Sequence, residues 1–224
     1  MGSGGAEKFT SLILPKLIEN YNVNLVLFNN VVHFNIPDKV NLVILNDAKN
    51  QNYLNKIFLF PKLIYRYIKF LKSNSIGISL SLLTRPNLIN AIAKVFNGSV
   101  KTIISERCYP SIAYRSNKYR YNLYKILFPI IYNKADILFS NTIEINKDLI
   151  KNFGVRLETC VIYNPVLSLS KKIKVTDNLG SAFSIINVGS MYYIKNQSLI
   201  IQALSKLDFS SELFLVGDGI DRNN

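Results

Sequence analysis

The chain has 224 residues, 27 Lys and Arg against 14 Asp and Glu, a formal net charge of +13 and 49% hydrophobic residues. That apolar content excludes an intrinsically disordered chain, and the length accommodates one large or two small domains. The two cysteines, Cys108 and Cys160, lie far apart, which excludes a disulfide framework and a zinc site built on cysteine pairs.

Free thiols fit a reducing compartment. The positive balance suits polyanions, anionic membrane surfaces or phosphate-bearing ligands. No single block concentrates the bases, so a solvated basic surface is expected to account for much of the charge. The opening MGSGGAEK has no apolar core of the signal-peptide kind, and Ala6 stands where a myristoylation pattern needs Ser or Thr. No apolar run reaches the roughly 18 residues of a spanning helix, so a soluble or peripheral protein is expected.

In chain order, Gly4-Gly5-Ala6-Glu7 opens a helix running to about Asn20. A Gly-rich turn at a helix N-terminus aims backbone amides outward and suits a phosphate. The dinucleotide fingerprint itself fails, because Glu7 takes the place of its third glycine. Such a turn ordinarily follows a strand, and only Met1, Gly2 and Ser3 precede this one. Apolar runs Val23–Phe28 and Val40–Leu45 read as strands, with a further short strand over 31–34. A helix from about Gln51 to Lys72 follows, which Pro61 should kink or split.

Strand Ile76–Ser81, helix Pro86–Phe96 and strand Lys101–Ser105 continue the alternation. Helix Lys118–Lys134 interleaves Tyr119, Tyr121, Tyr124, Phe128 and Tyr132 with Lys and Arg. That composition fits base stacking, but the helical stripe of aromatics argues for packing on a sheet. Strand Asp136–Phe139, helix Thr142–Phe153 with Gly154 as its stop, and strand Thr159–Tyr163 close the first domain. Asn164-Pro165 turns the chain into a polar connector, and Phe183–Val188, Gly189–Lys195, Asn196–Leu207 and Glu212–Val216 restart a strand-loop-helix-strand unit.

Repeated strand-helix alternation predicts an α/β chain with a parallel sheet covered by helices on both faces. Ligands in such sheets bind beyond the carboxyl ends of the strands. That rim collects Gly4-Gly5, Thr84-Arg85-Pro86-Asn87, Glu106-Arg107, Ser140-Asn141-Thr142 and Gly189–Lys195. Lone His33, in a turn without a partner, reads as a surface residue.

The ordered series GGAE, SLLTRPN, IISER followed by Pro110, ADILFSNTIEINKDLIKNFGV, VIYNPV, NVGSMYYIKNQSLII and LVGDGIDR resembles the family-4 retaining glycosyltransferases of the GT-B fold, in the bacterial form that builds lipid-linked or surface glycans. Each motif is common alone; seven in register are specific. The resemblance implies a Rossmann-like acceptor-side domain over 1–165, a linker over 166–182, and the start of a donor-binding Rossmann-like domain over 183–224.

It implies catalytic roles for Glu106 and Arg107. Gly4, Gly5, Gly189, Ser190, Lys195 and Asn196 would hold the donor diphosphate, and Glu7, Arg85, Asn87, Gly217 and Asp218 would line the cleft. The implied partners are a nucleotide-sugar donor and a glycan or lipid-linked acceptor, with no metal and no cofactor. Helices 51–72 and 118–134 are then candidates for peripheral contact with the inner face of the plasma membrane, in the cytoplasm.

Two departures stand out. Ser190 occupies a place where the family commonly has Arg, and the chain stops before the paired glutamates that bind donor ribose and sugar. A fragment, truncated at its C-terminus and before its first strand, is therefore expected. A catalytically inactive remnant or half of a split enzyme, needing a complementing chain, stays open. So does a basic nucleic-acid-binding module, although its bases are not gathered on one element as such proteins require.

Overall fold

The computed structural model describes residues 4–45, 53–166 and 183–222. The chain divides into two compact units, Met1–Val166 and Leu167–Asn224. The expected connector, Leu167 to Ser181, and the start of the second helix lie outside the described residues.

The first unit opens with α1 (Gly5–Leu17), β1 (Asn24–Leu27) and β2 (Asn41–Ile44), followed by α2 (Tyr53–Ser73). It continues through β3 (Ile78–Leu82), α3 (Thr84–Phe96), β4 (Lys101–Glu106), a single turn α4 (Pro110–Ala113) and α5 (Lys118–Ile131) with a 3-10 extension. It ends with β5 (Ile137–Ser140), α6 (Ile143–Phe153) and β6 (Glu158–Val161). The second unit holds β7 (Phe183–Val188), α7 (Gln197–Leu204) and β8 (Ser211–Val216).

Every strand pair is parallel, as the alternation predicts. The first unit's strands nevertheless form two hydrogen-bonded sets among the described residues, β1-β2 and β3-β4-β5-β6, where one sheet was expected. The pair β7-β8 forms a third. The two sets of the first unit share a helix layer: Leu45 is buried with Leu63, Tyr67 and Leu71 of α2 and Ile89 and Ala93 of α3, and Val26 and Phe28 pack on them.

Residues 31–34 form no strand; Val31 N–H instead closes a local turn onto Asn29 O at 2.9 Å. Pro61 does not split α2, which runs unbroken from Tyr53 to Ser73. A proline inside a helix costs about 3 kcal/mol. Burial of Leu63, Tyr67 and Leu71, each contributing roughly 1.5–3 kcal/mol, outweighs that cost.

The other core lies between β4, β5 and helices α3, α5 and α6, around Ile104, Leu138, Leu149 and Phe153. Four of the five aromatics of the expected stripe, Tyr121, Tyr124, Phe128 and Tyr132, fill or border it, whereas Tyr119 is exposed on the opposite side of the helix. Tyr124, Phe128 and Tyr132 stack in sequence at 5.0 and 4.2 Å between ring centroids, and Tyr114 meets Tyr124 edge-on at 4.6 Å. Packing, not base stacking, occupies these rings. Thr142 caps α6 by accepting the N–H of Ile145 at 3.4 Å, and Gly154 ends it in the left-handed region at φ 61°, the stop its sequence announces.

Two backbone features mark strand ends. Leu83, between β3 and α3, sits at φ 75° and ψ 154°, a region nearly reserved for glycine that costs about 1–3 kcal/mol. Gly217, after β8, has φ 152°, and a Cβ there would lie 1.9 Å from Gly189 O. Leu83→Gly is therefore expected to be more stable than Leu83→Ala by about 1 kcal/mol or more in chemical denaturation. Gly217→Ala should cost about 1–3 kcal/mol within the second unit, read as lost hydrogen-exchange protection at Gly189 and Met191, whose amides bond to Val216 O and Asp218 O.

Candidate active site at the sheet rim

β4 ends on Glu106, whose side chain is fully buried. Its Oε1 accepts from Tyr132 Oη, from Thr84 Oγ1 at 3.1 Å and from Asn87 Nδ2 at 3.2 Å. The Arg107 N–H adds a backbone donor. Asn87 Nδ2 also donates to Ser105 O at 2.8 Å, and its Oδ1 accepts from Ser81 Oγ at 2.8 Å. One helical turn on, Asn90 Nδ2 donates to Ser81 Oγ at 3.1 Å while Asn90 Oδ1 accepts from Ser79 Oγ at 2.7 Å and Tyr67 Oη at 3.2 Å. The spacing of Thr84, Asn87 and Asn90 puts all three on one face of α3. A polar ladder thus runs inside the unit, between α3 and the Ser-bearing face of β3.

Burial pushes the Glu106 carboxyl up to about 6, against the opposing pull of its Tyr132, Thr84 and Asn87 donors. Burial and then the neighbouring Glu106 charge raise Tyr132 well above the ordinary phenol range. The same two causes raise Tyr114 and push the Cys108 thiol up to about 11.

Arg107 follows directly and turns outward. Its Nη2 donates to Asn164 Oδ1, beyond the end of β6, and its Cζ lies 4.1 Å from the ring centroid of Phe9 on α1. Phe9 in turn packs at 6.2 Å on Phe139 of β5. The other terminal nitrogen, Nη1, is buried with no hydrogen-bond partner among the described residues, as is Asn141 Oδ1 after β5. Desolvation lowers the Arg107 pKa, but a guanidinium keeps its charge in any protein. A positive fork with an unused donor at the strand ends is chemically suited to anionic oxygens. Arg85 lies 5.2 Å over Phe28 after β1, on the same rim.

At α1, Gly4 is the N-cap residue, but the first turn already holds an anion. Glu7 Oε2 comes so near that a Cβ on Gly4 would meet it at 2.5 Å, where its charge complements the helix dipole. Gly5 has open space around it.

In the second unit Gly189 and Ser190 leave β7, and Ser190 O accepts from Gln197 Nε2 at 3.1 Å. Asn196 adopts the left-handed conformation at φ 51° immediately before α7, and Lys195 beside it is exposed. Gly217 closes the turn after β8; Asp218 accepts the Gly219 N–H at 2.9 Å and faces Arg222 at 3.7 Å.

Two sequence-derived assignments are corrected by burial. Asn87 lines no cleft: it is fully buried and spends its amide on Ser81, Ser105 and Glu106. Glu106 does not present its carboxyl at the rim; its own protein surrounds it. Sequence reading missed Tyr132, Tyr114 and Thr84 as its partners and Asn164 as the partner of Arg107. The alternation of Ser79 and Ser81 with leucines, facing a helix with Thr84, Asn87 and Asn90, was the available signal. Among the described residues no three His, Cys, Asp or Glu side chains gather where they could share a metal ion, and no helix is long and apolar enough to cross a membrane.

Parallel α/β units define the class: the chain has the Rossmann-like GT-B fold. It aligns with the apo form of the lipopolysaccharide outer core galactosyltransferase WaaB at a TM-score of 0.69 and 16% identity, over 99% of this chain and 59% of that one. In sequence it is similar to the N-acetylgalactosamine-N,N'-diacetylbacillosaminyl-diphospho-undecaprenol 4-alpha-N-acetylgalactosaminyltransferase of Campylobacter jejuni, 29% identical over 223 residues. That match covers 98% of this chain and 61% of the relative, so the chain spans about three-fifths of the relative's length. No family model matches it.

The buried carboxyl makes stability depend on pH in a defined direction. Unfolded, Glu106 titrates near 4.5, and folded near 6. The folded state therefore holds the proton more tightly, and stability falls as pH rises through that window, by about 2 kcal/mol. Glu106→Gln should flatten this segment of the stability profile, measured by urea denaturation from pH 4 to pH 7. A profile unchanged in the variant would assign the slope to other groups.

Proposed function

We propose that this chain is a glycosyltransferase polypeptide that moves a sugar from a nucleotide diphosphate donor to a hydroxyl of a glycan or lipid-linked acceptor, in surface polysaccharide or glycoconjugate synthesis. The observation that carries this reading is the 29% identity along 98% of the chain to a transferase named for a diphospho-undecaprenol-linked acceptor. The GT-B fold supports it. Retention at the anomeric carbon and membership of family 4 follow from the motif series, and a cytoplasmic site of action at the inner face of a membrane follows from the lipid-linked acceptor class.

In this reading Gly189, Ser190, Lys195 and Asn196 hold the donor diphosphate on the second unit. An exposed ammonium beside the N-terminus of α7 stabilises charge developing on a departing phosphate. Arg107 supplies a cation on the first unit, held by Phe9 and Asn164, and Gly4 and Gly5 stand at a helix N-terminus whose first turn the Glu7 carboxylate already occupies. Glu106 is then a positioning residue: it fixes the backbone from which Arg107 departs.

The test is transfer of labelled sugar from a panel of UDP-hexoses and UDP-N-acetylhexosamines to a polyprenyl diphosphate-linked glycan. Transfer is expected from at least one donor, and Lys195→Ala should lower turnover about 10²-fold or more. Turnover unchanged by that substitution would remove Lys195 from the site.

A further inference from the structure

Helix α5 carries two apolar stripes on opposite sides, where a surface helix ordinarily carries one. Tyr121, Tyr124 and Phe128 face the core. On the opposite side, Tyr119, Leu123, Ile126 and Ile130 recur at helical spacing and are exposed at 91%, 45%, 61% and 58%. This second stripe is about 16 Å long at the helical rise, and Ile112 of α4, a few residues before it in the chain, is likewise exposed, at 58%. Lys118 and Lys125, both exposed, flank the helix, and exposed Arg115 precedes it.

The charge around this stripe is one-sided. Between Asp47 and Asp136 the chain has fifteen Lys and Arg and one acidic residue, Glu106, which is fully buried. The surface of this stretch therefore has no negative side chain. The bases are about twice as dense here as in the rest of the chain, and the acids are missing.

We propose that the outward face of α4 and α5 is a docking surface for an anionic lipid bilayer, with the apolar stripe entering the headgroup boundary and the flanking Lys and Arg meeting lipid phosphates. An apolar face bordered by basic residues is the pattern that binds such surfaces. A second copy of the chain is the less suited occupant, because two such faces would bring the Lys and Arg of α4 and α5 against each other, and these helices carry no carboxylate of their own. The α4 turn and the start of α5 follow the strand end that carries Arg107, so docking there holds the rim near the bilayer. This deepens the reading above by naming the lipid class and the face that meets it.

The chain contains no tryptophan, so Ile126→Trp is a clean reporter. Its emission should shift to the blue with vesicles of phosphatidylcholine mixed with phosphatidylglycerol, and not with phosphatidylcholine alone. Lys118→Gln and Lys125→Gln should each weaken partitioning about fivefold, and added salt should weaken it further. The double variant Leu123→Glu, Ile126→Glu should abolish co-sedimentation while keeping its circular dichroism spectrum.

No shift from the folded reporter, or equal binding to neutral vesicles, overturns the proposal. A dimer that the glutamate pair dissociates, without vesicle binding, overturns it in favour of a second copy. Vesicle binding is read without donor or acceptor, so its failure leaves the transfer reading standing. Failed transfer by a chain that binds vesicles counts against the transfer reading alone.

Discussion

The first unit is arranged around a carboxyl that has no access to water. An isolated ionised carboxylate in a protein interior is far too costly to persist without donors, so Glu106 obliges the elements around it to bring them. Tyr132 comes from the end of the α5 segment, Thr84 and Asn87 from the first turns of α3, and the Arg107 amide from the chain itself. Those donors fix how α3 and the end of α5 lie against β4. The ladder then continues through Asn87 and Asn90 to the serines of β3 and to Tyr67 of α2, tying a second helix to the same strand. Loss of one member strands the others as buried unpaired groups, which is why such networks define one arrangement instead of several.

The consequence for function is indirect but geometric. Residues 107–110 leave a strand whose last side chain is clamped, so Arg107 departs from a fixed point. Its guanidinium is then held by a ring on one side and an amide on the other. A cation on a rigid element loses little conformational freedom when an anion arrives, and preorganisation of this kind is what makes electrostatic stabilisation effective. The strained backbone at Leu83 lies at the neighbouring strand end, and its N–H bonds to Ser105 O at 3.0 Å. Backbone strain of this sort collects where a site must be shaped.

Most of the architecture was legible from periodicity. Strand-helix alternation, the Thr142 and Gly154 caps and the restart at Phe183 all express local rules that the packing obeys. What was not legible depended on long-range energetics. Whether Pro61 breaks α2 is decided by Leu63, Tyr67 and Leu71 finding a core, and no local rule contains that. Residues 31–34 have strand composition but no ladder partner. Glu106 and Asn87 looked like rim residues because their positions at strand end and helix start are rim positions. The Glu106 side chain turns inward because Tyr132, 26 residues later in the chain, supplies a donor there, and Asn87 turns inward onto Ser81, Ser105 and Glu106. The split of the first unit's strands into two hydrogen-bonded sets belongs to the same category, since alternation predicts parallel strands but not which neighbours pair.

The surplus positive charge is not consumed by the fold. Ion pairs among the described residues include Lys16–Glu19 and Arg222–Asp218, both at exposed positions, and Lys94–Asp136 at 2.9 Å with partly covered side chains. Exposed pairs of this kind contribute roughly 0–1 kcal/mol each, while a net charge of +13 opposes compaction through self-repulsion. A distribution that lacks surface acids over nearly ninety residues therefore weakens the folded state slightly, a cost that the two buried cores outweigh. The charge is left to act outward, toward an anionic surface or a phosphate-bearing ligand, and the aromatic half of α5, engaged in the core, leaves the opposite apolar stripe exposed.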